Sequence, residues 1–174
     1  MIIRVLLLSP FYSSVYGSFK PALKAGFLNP PIGLCYIASS LQKNGYEVFI
    51  IDAESEDTSL DKLVRDALTL NPDIIGITAT SPVFRSALEI SRSFKKLSSV
   101  PIVLGGPHIT IMRNQVLEGY PEFDFGVVGE GEETMIELLR AIACGQDLSN
   151  VQGLIYRDGS NRVTGTQERT VLRD

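Results

Sequence analysis

The chain has 174 residues, 44% of them hydrophobic and 21% charged, which suits one soluble globular domain with an ample buried core. A net charge of −4 leaves no basic footprint for nucleic acid, and no apolar run approaches the ~20 residues of a membrane span. Met1-Ile2-Ile3-Arg4-Val5 reads as a strand rather than a signal peptide, so the chain is expected in the cytoplasm.

Apolar runs and amphipathic stripes alternate along the chain. Ile3–Leu8 is a short buried strand. It is followed by a long connection, Ser9–Pro31, that holds Pro10, Pro21, Pro30 and Pro31 among five aromatic residues. Loops of this length inside a compact domain are usually functional or disordered, and the aromatics argue for function, as a lid or a pocket wall. Leu34, Ile37, Ala38 and Leu41 then recur at helical spacing up to Asn44-Gly45. The strand Val48–Ile51 leads to the stripe Leu60, Leu63, Val64, Ala67 and Leu68, ended by Asn71-Pro72. Ile74–Ile77 is the third strand, with Val83, Ala87, Ile90, Phe94 and Leu97 as the helix after it. Ile102–Leu104, a weak helical stretch Ile109–Leu117, and Phe125–Val128 follow in turn. Met135, Ile136, Leu138, Leu139, Ile142 and Ala143 form the last stripe, stopped by Gly145. Leu154–Arg157 and Arg162–Thr164 flank Asp158-Gly159-Ser160-Asn161 as a β-hairpin. Beyond it, Gln167–Asp174 finds no partner element and reads as a linker. Cys35 and Cys144 fall within the helical patterns and read as buried, small apolar residues of a reducing compartment.

The alternation predicts an α/β, flavodoxin-like or Rossmann-like three-layer fold. Its five-stranded parallel sheet takes the order 2-1-3-4-5, with a C-terminal β-hairpin extension. Residues 1–150 make the Rossmann-like domain and residues 151–174 the hairpin and linker.

In such a sheet the ligand lies across the loops that leave the strand carboxyl ends. Here those loops read Thr78-Ala79-Thr80-Ser81-Pro82, Gly105-Gly106-Pro107-His108 and Gly129-Glu130-Gly131-Glu132. Glycine allows close backbone approach, and the hydroxyls offer neutral hydrogen bonds. The hydroxyls can equally cap the helix that begins near Val83. Gly129-Glu130-Gly131-Glu132-Glu133-Thr134 approaches the dinucleotide fingerprint, but it follows the fifth strand and has Thr134 for the third glycine. Its three carboxylates would also repel a pyrophosphate. A phosphorylated receiver domain is excluded, because Ser9-Pro10, Thr78-Ala79 and Gly129 stand where it needs acids and a lysine. His108 is the one histidine, which removes multi-histidine metal sites and makes a hydrolytic triad improbable. Asp52, after the second strand, reads as a cap or a loop hydrogen-bond partner.

Read in order, Asn29-Pro30-Pro31-Ile32-Gly33-Leu34, Gly45-Tyr46-Glu47-Val48, Pro72-Asp73-Ile74-Ile75-Gly76-Ile77, Val103-Leu104-Gly105-Gly106-Pro107-His108, Val127-Val128-Gly129-Glu130-Gly131-Glu132 and Val151-Gln152-Gly153-Leu154-Ile155-Tyr156-Arg157 form a pattern. It resembles the N-terminal cobalamin-binding domain of the cobalamin-dependent radical S-adenosylmethionine enzymes, over nearly the whole chain. The resemblance implies cobalamin held over the carboxyl edge of the sheet. Its contacts would be Thr78, Thr80 and Ser81, then Gly105, Gly106, Pro107 and His108, then Gly129, Glu130 and Gly131. It implies no catalytic residue and no metal ligand in this chain. The D-x-H-x-x-G segment that supplies a lower cobalt ligand in methionine-synthase-like domains is missing, so the cofactor should be held base-off. The partner is the radical domain of the same parent chain, with a C-x-x-x-C-x-x-C motif, a four-iron four-sulfur cluster and S-adenosylmethionine. Cys35 and Cys144 cannot supply that cluster, so this chain alone should bind and not catalyse methyl transfer or rearrangement. The competing expectation is a family member that has lost cobalamin and serves as a docking or substrate-binding domain. A small-ligand or nucleotide enzyme on the same fold is third, for want of a phosphate motif.

Overall fold

The computed structural model describes residues 2–12, 30–56 and 58–169. Most of the proline-rich connection lies outside the described residues. The five apolar runs form β1 (Arg4–Ser9), β2 (Glu47–Asp52), β3 (Ile74–Thr78), β4 (Ile102–Gly105) and β5 (Phe125–Val127). They pair in parallel in the order β2-β1-β3-β4-β5, as expected from the sequence. The hairpin forms too, as β6 (Leu154–Arg157) and β7 (Val163–Gly165). It does not stand apart from the sheet. β6 adds antiparallel to β5, and the sheet grows to seven strands ending in β7.

Between the strands run α1 (Ile32–Lys43), α2 (Leu60–Thr69), α3 (Phe84–Leu97), α4 (Pro107–Met112), α5 (Asn114–Gly119) and α6 (Glu132–Cys144). Two cores result because strand side chains alternate between faces. Leu6, Leu8, Ile75, Ile77, Ile102 and Leu104 meet α2, α3, α4 and α5 on one face. Val5, Leu7, Ile74, Val103 and Val127 meet α1 and α6 on the other. The helix after β1 covers the second face and those after β2, β3 and β4 the first. That switch keeps every crossover right-handed when the strand order reverses between β1 and β3.

The helix ends follow their local chemistry. Ser59 caps α2 by accepting the Lys62 N–H at 3.4 Å, and Gly145 ends α6 in the left-handed region at φ 61°.

Four expectations are corrected. Cys35 and Cys144 are exposed rather than buried. They lie on the outward faces of α1 and α6, where helical periodicity alone does not distinguish a stripe edge from a stripe centre. Leu97 and Ile142, at the ends of their stripes, are exposed for the same reason. The stretch 109–117 is not one helix but two, broken at Arg113, whose φ of 52° no helix accommodates. Finally, Gln167, Glu168 and Arg169 do have partners: the Gln167 carbonyl accepts the Gly153 N–H, Glu168 pairs with Arg113, and Arg169 meets Glu133, Thr134 and Glu137 of α6.

Candidate functional site

All five parallel strands end on one edge, and three of the loops leaving it are tied into one shelf. Thr78 and Gly105 are register partners at the ends of β3 and β4. Past them, the Ala79 N–H donates to the Gly105 carbonyl at 3.0 Å, and the His108 N–H donates to the Ala79 carbonyl at 3.0 Å. Gly106 makes this close approach possible. Its φ is 91°, and a Cβ there would lie 2.7 Å from Thr78 Oγ1 and 2.9 Å from the Ala79 carbonyl oxygen. Pro107 follows at the first turn of α4, where its missing N–H costs nothing.

A side-chain contact closes the same pair of loops. His108 Nδ1 lies 3.1 Å from Ser81 Oγ, and its ring stacks on Phe84 with centroids 4.0 Å apart. Phe84 in turn meets Tyr120 edge-on at 5.0 Å. Half-burial in this aromatic nest pushes the His108 pKa below its ordinary value, because the charged ring loses water there. His108, a ligand contact in the resemblance, is thus braced by Ser81 and Phe84 and forms a wall of the shelf. Neither Thr80 nor Ser81 caps the following turn with its side chain. Among the described residues, Thr78 and Thr80 keep their hydroxyls clear of protein hydrogen bonds, half-buried at the edge.

The third loop joins through a residue the sequence did not single out. Thr110 Oγ1 donates to the Gly106 carbonyl at 3.0 Å and accepts the Gly129 N–H at 3.0 Å. One hydroxyl thus spans the loops after β4 and β5. Gly129 has φ 76° and, like Gly105, open space where a Cβ would sit. Gly131 differs: a Cβ there would come within 3.1 Å of Ile37 Cδ1, so its bareness serves the packing of α1 against α6. Glu130 is exposed. Asp52, one strand pair away, accepts the Ser55 hydroxyl at 2.8 Å, the loop hydrogen bond expected of it.

Thr110 and Phe84 left a faint trace in the sequence. Thr110 lies one helical turn after Gly106, within reach of its carbonyl. Phe84 precedes Leu88 at helical spacing on the buried side of α3. The carboxyl-edge donors are thus neutral hydroxyls and backbone beside bare Gly105 and Gly129, with one exposed carboxylate at the rim. They fit a broad, largely uncharged ligand with amide and hydroxyl edges, and cobalamin answers that description.

Comparison with known proteins agrees with this chemistry. The family profile of the B12 binding domain matches residues 21–139. An uncharacterized methyltransferase of Pyrococcus horikoshii is 33% identical over 150 residues, covering 86% of this chain and 32% of that protein. The anaerobic magnesium-protoporphyrin IX monomethyl ester cyclase of Rubrivivax gelatinosus is 33% identical over 180 residues, covering 98% of this chain and 31% of its own length. The chain thus spans about a third of the length of these relatives. Among solved structures, the radical S-adenosylmethionine methyltransferase TsrM from Kitasatospora setae, with cobalamin and an iron–sulfur cluster bound, superposes with a TM-score of 0.79. That match covers 100% of this chain and 30% of the other at 22% identity, a likeness of fold. With the fold, the bare glycine edge and the profile match in agreement, the chain belongs to the B12-binding domain family.

Proposed function

We infer that this chain is the cobalamin-holding module of a longer radical S-adenosylmethionine enzyme of methyltransferase or rearrangement type. The observation that carries this reading is the three-loop shelf, in which Gly105 and Gly129 leave open space just where a flat ligand would lie. When bound, cobalamin supplies a cobalt centre able to carry a methyl group. The chain's own residues do simpler work. The hydroxyls of Thr78 and Thr80 meet polar edges of the ligand. Ser81 and His108 hold the loop after β4 at its working height, and Thr110 sets the Gly129 turn beside it.

No residue of the first loop can ligate cobalt as a histidine would, because the single histidine is His108. Its Nδ1 is engaged by Ser81 and its ring by Phe84. In this reading any bound cobalamin would receive no protein imidazole on its cobalt, and we propose that it would be held base-off. The exposed thiols of Cys35 and Cys144 suit a reducing, cytoplasmic setting.

Titration with hydroxocobalamin, followed by visible spectroscopy, tests both parts of this reading. A saturable base-off spectrum that is unchanged in His108→Ala is the expected result. A histidine-coordinated spectrum that vanishes in the variant overturns the ligation claim. Absence of binding overturns the cofactor reading and leaves a docking or substrate-binding domain.

A further inference from the structure

The acidic start of α6, so unsuited to a pyrophosphate, has an occupant within the chain. Glu133 and Glu137 lie one turn apart on one face of the helix, with Thr134 between them. Arg169 inserts its guanidinium there. Nη1 donates to Glu133 Oε2 at 2.7 Å, Nη2 donates to Glu137 Oε2, and Nε donates to Thr134 Oγ1 at 3.2 Å. The Arg169 side chain is only 15% exposed, unlike the half-exposed arginines elsewhere on the surface. Thr134 is fully buried and donates its own proton to the Gln152 carbonyl at 3.0 Å. Each of the three guanidinium nitrogens thus donates to an acceptor of α6, a planar geometry that lysine cannot reproduce.

The seat leads straight to the ligand shelf. The Gly153 N–H donates to the Gln167 carbonyl at 2.8 Å, and the Gly153 carbonyl accepts the Val128 N–H at 2.9 Å. Gly153 sits at φ 73°, and a Cβ there would lie 3.2 Å from both Thr134 Oγ1 and the Val128 carbonyl oxygen. Val128 is the residue before Gly129. A continuous path therefore runs from Arg169 through Thr134 and Gly153 to the turn after β5. β7 runs parallel to β5, so residues 166–169 climb toward the same carboxyl edge. The neighbouring Arg113–Glu168 pair, at 2.7 Å, is exposed on both sides and adds little.

We propose that Arg169 is a positioning residue, a latch that holds segment 166–169 against α6 and thereby sets the Gly129 turn for the cofactor. The coupling half of this proposal rests on the cobalamin reading; the latch half does not. Hydrogen exchange on the 174-residue chain reads the latch at the Gly153 N–H, with the β1 amides as an internal control. Hydroxocobalamin titration reads the coupling. Arg169→Met and the double variant Glu133→Gln/Glu137→Gln should speed Gly153 exchange about tenfold and weaken cobalamin binding several-fold, with β1 exchange unchanged. Arg169→Lys should fall between, restoring charge without the planar fork. Saturating cobalamin should slow Gly153 exchange in the wild type. Unchanged Gly153 exchange in Arg169→Met overturns the latch. Faster exchange with unaltered cobalamin affinity overturns the coupling. A wild-type chain that binds no cobalamin overturns the functional reading and the coupling together, and the exchange measurement still decides the latch.

Discussion

Gly105 and Gly106 are adjacent, yet their missing side chains serve opposite purposes. At Gly106 a Cβ would run into Thr78 and the Ala79 backbone, so the glycine exists for the protein's own loop crossing. At Gly105 nothing lies within 4 Å, so the bareness is available to a ligand. Gly105→Val should therefore abolish hydroxocobalamin binding by calorimetry while thermal stability stays near wild type. Gly106→Val should lower stability by about 1–3 kcal/mol through strain and clash, and lose binding with it. Equal thermal stability in the two variants would contradict this division of labour. His108 adds a pH dependence of known sign. Its folded pKa lies below the ordinary value of 6.5, so the unfolded chain binds the proton more readily. The stabilisation from burying the neutral ring is complete above pH 6.5 and is lost as the pH falls through that region toward the folded pKa. Urea unfolding at about pH 7.5 and about pH 5.5 should show less of this loss in His108→Phe, which keeps the stack on Phe84 without the titration. An identical pH dependence in the variant would sink the assignment.

At the level of elements, the shelf depends on α4, whose Thr110 bridges the loops after β4 and β5. Thr110 lies within the helix's single stretch from Pro107 to Met112 and turns its hydroxyl to the loop after β5. Thr110→Val keeps the shape and removes the hydroxyl. The Gly129 N–H left behind is exposed and can turn to water, so the stability cost should be only about 0.5–1.5 kcal/mol. Cobalamin affinity should fall further than stability does, because the loops after β4 and β5 lose their common brace. Denaturant unfolding set beside calorimetric titration measures the two, and an affinity unchanged from wild type would remove Thr110 from the site. Much of this level was legible beforehand. The strands were readable because a parallel sheet buried on both faces demands continuous apolar runs, and Leu6, Ile75 and Leu104 supply them. Helix stops were readable because Asn71 and Gly145 occupy positive φ, which few other residues tolerate. The break at Arg113 was not, since arginine gives no local signal for a φ of 52°.

For the molecule as a whole, the chain should bind cofactor without turning over. Its two cysteines lie exposed on α1 and α6, and a four-iron cluster held by a C-x-x-x-C-x-x-C motif needs three thiolates close in sequence. Incubation with S-adenosylmethionine under reducing conditions should yield no 5′-deoxyadenosine above a protein-free control; a measurable yield would place radical chemistry in this domain. The alternation of strands and helices and the glycine- and hydroxyl-rich edge were present in the sequence as periodicity and residue type, and the 2-1-3-4-5 order followed from five βα units joined by right-handed crossovers. Which groups at that edge are engaged by the protein itself and which are left clear of it was decided only by the tertiary structure. Ser81 and His108 are 27 residues apart, Thr110 and Gly129 are 19 apart, and Thr134 and Arg169 are 35 apart. Contacts at such separations have no local signature. They arise when parallel strands deliver distant loops to one edge, and there the packing of those loops against one another sorts bracing residues from those left open.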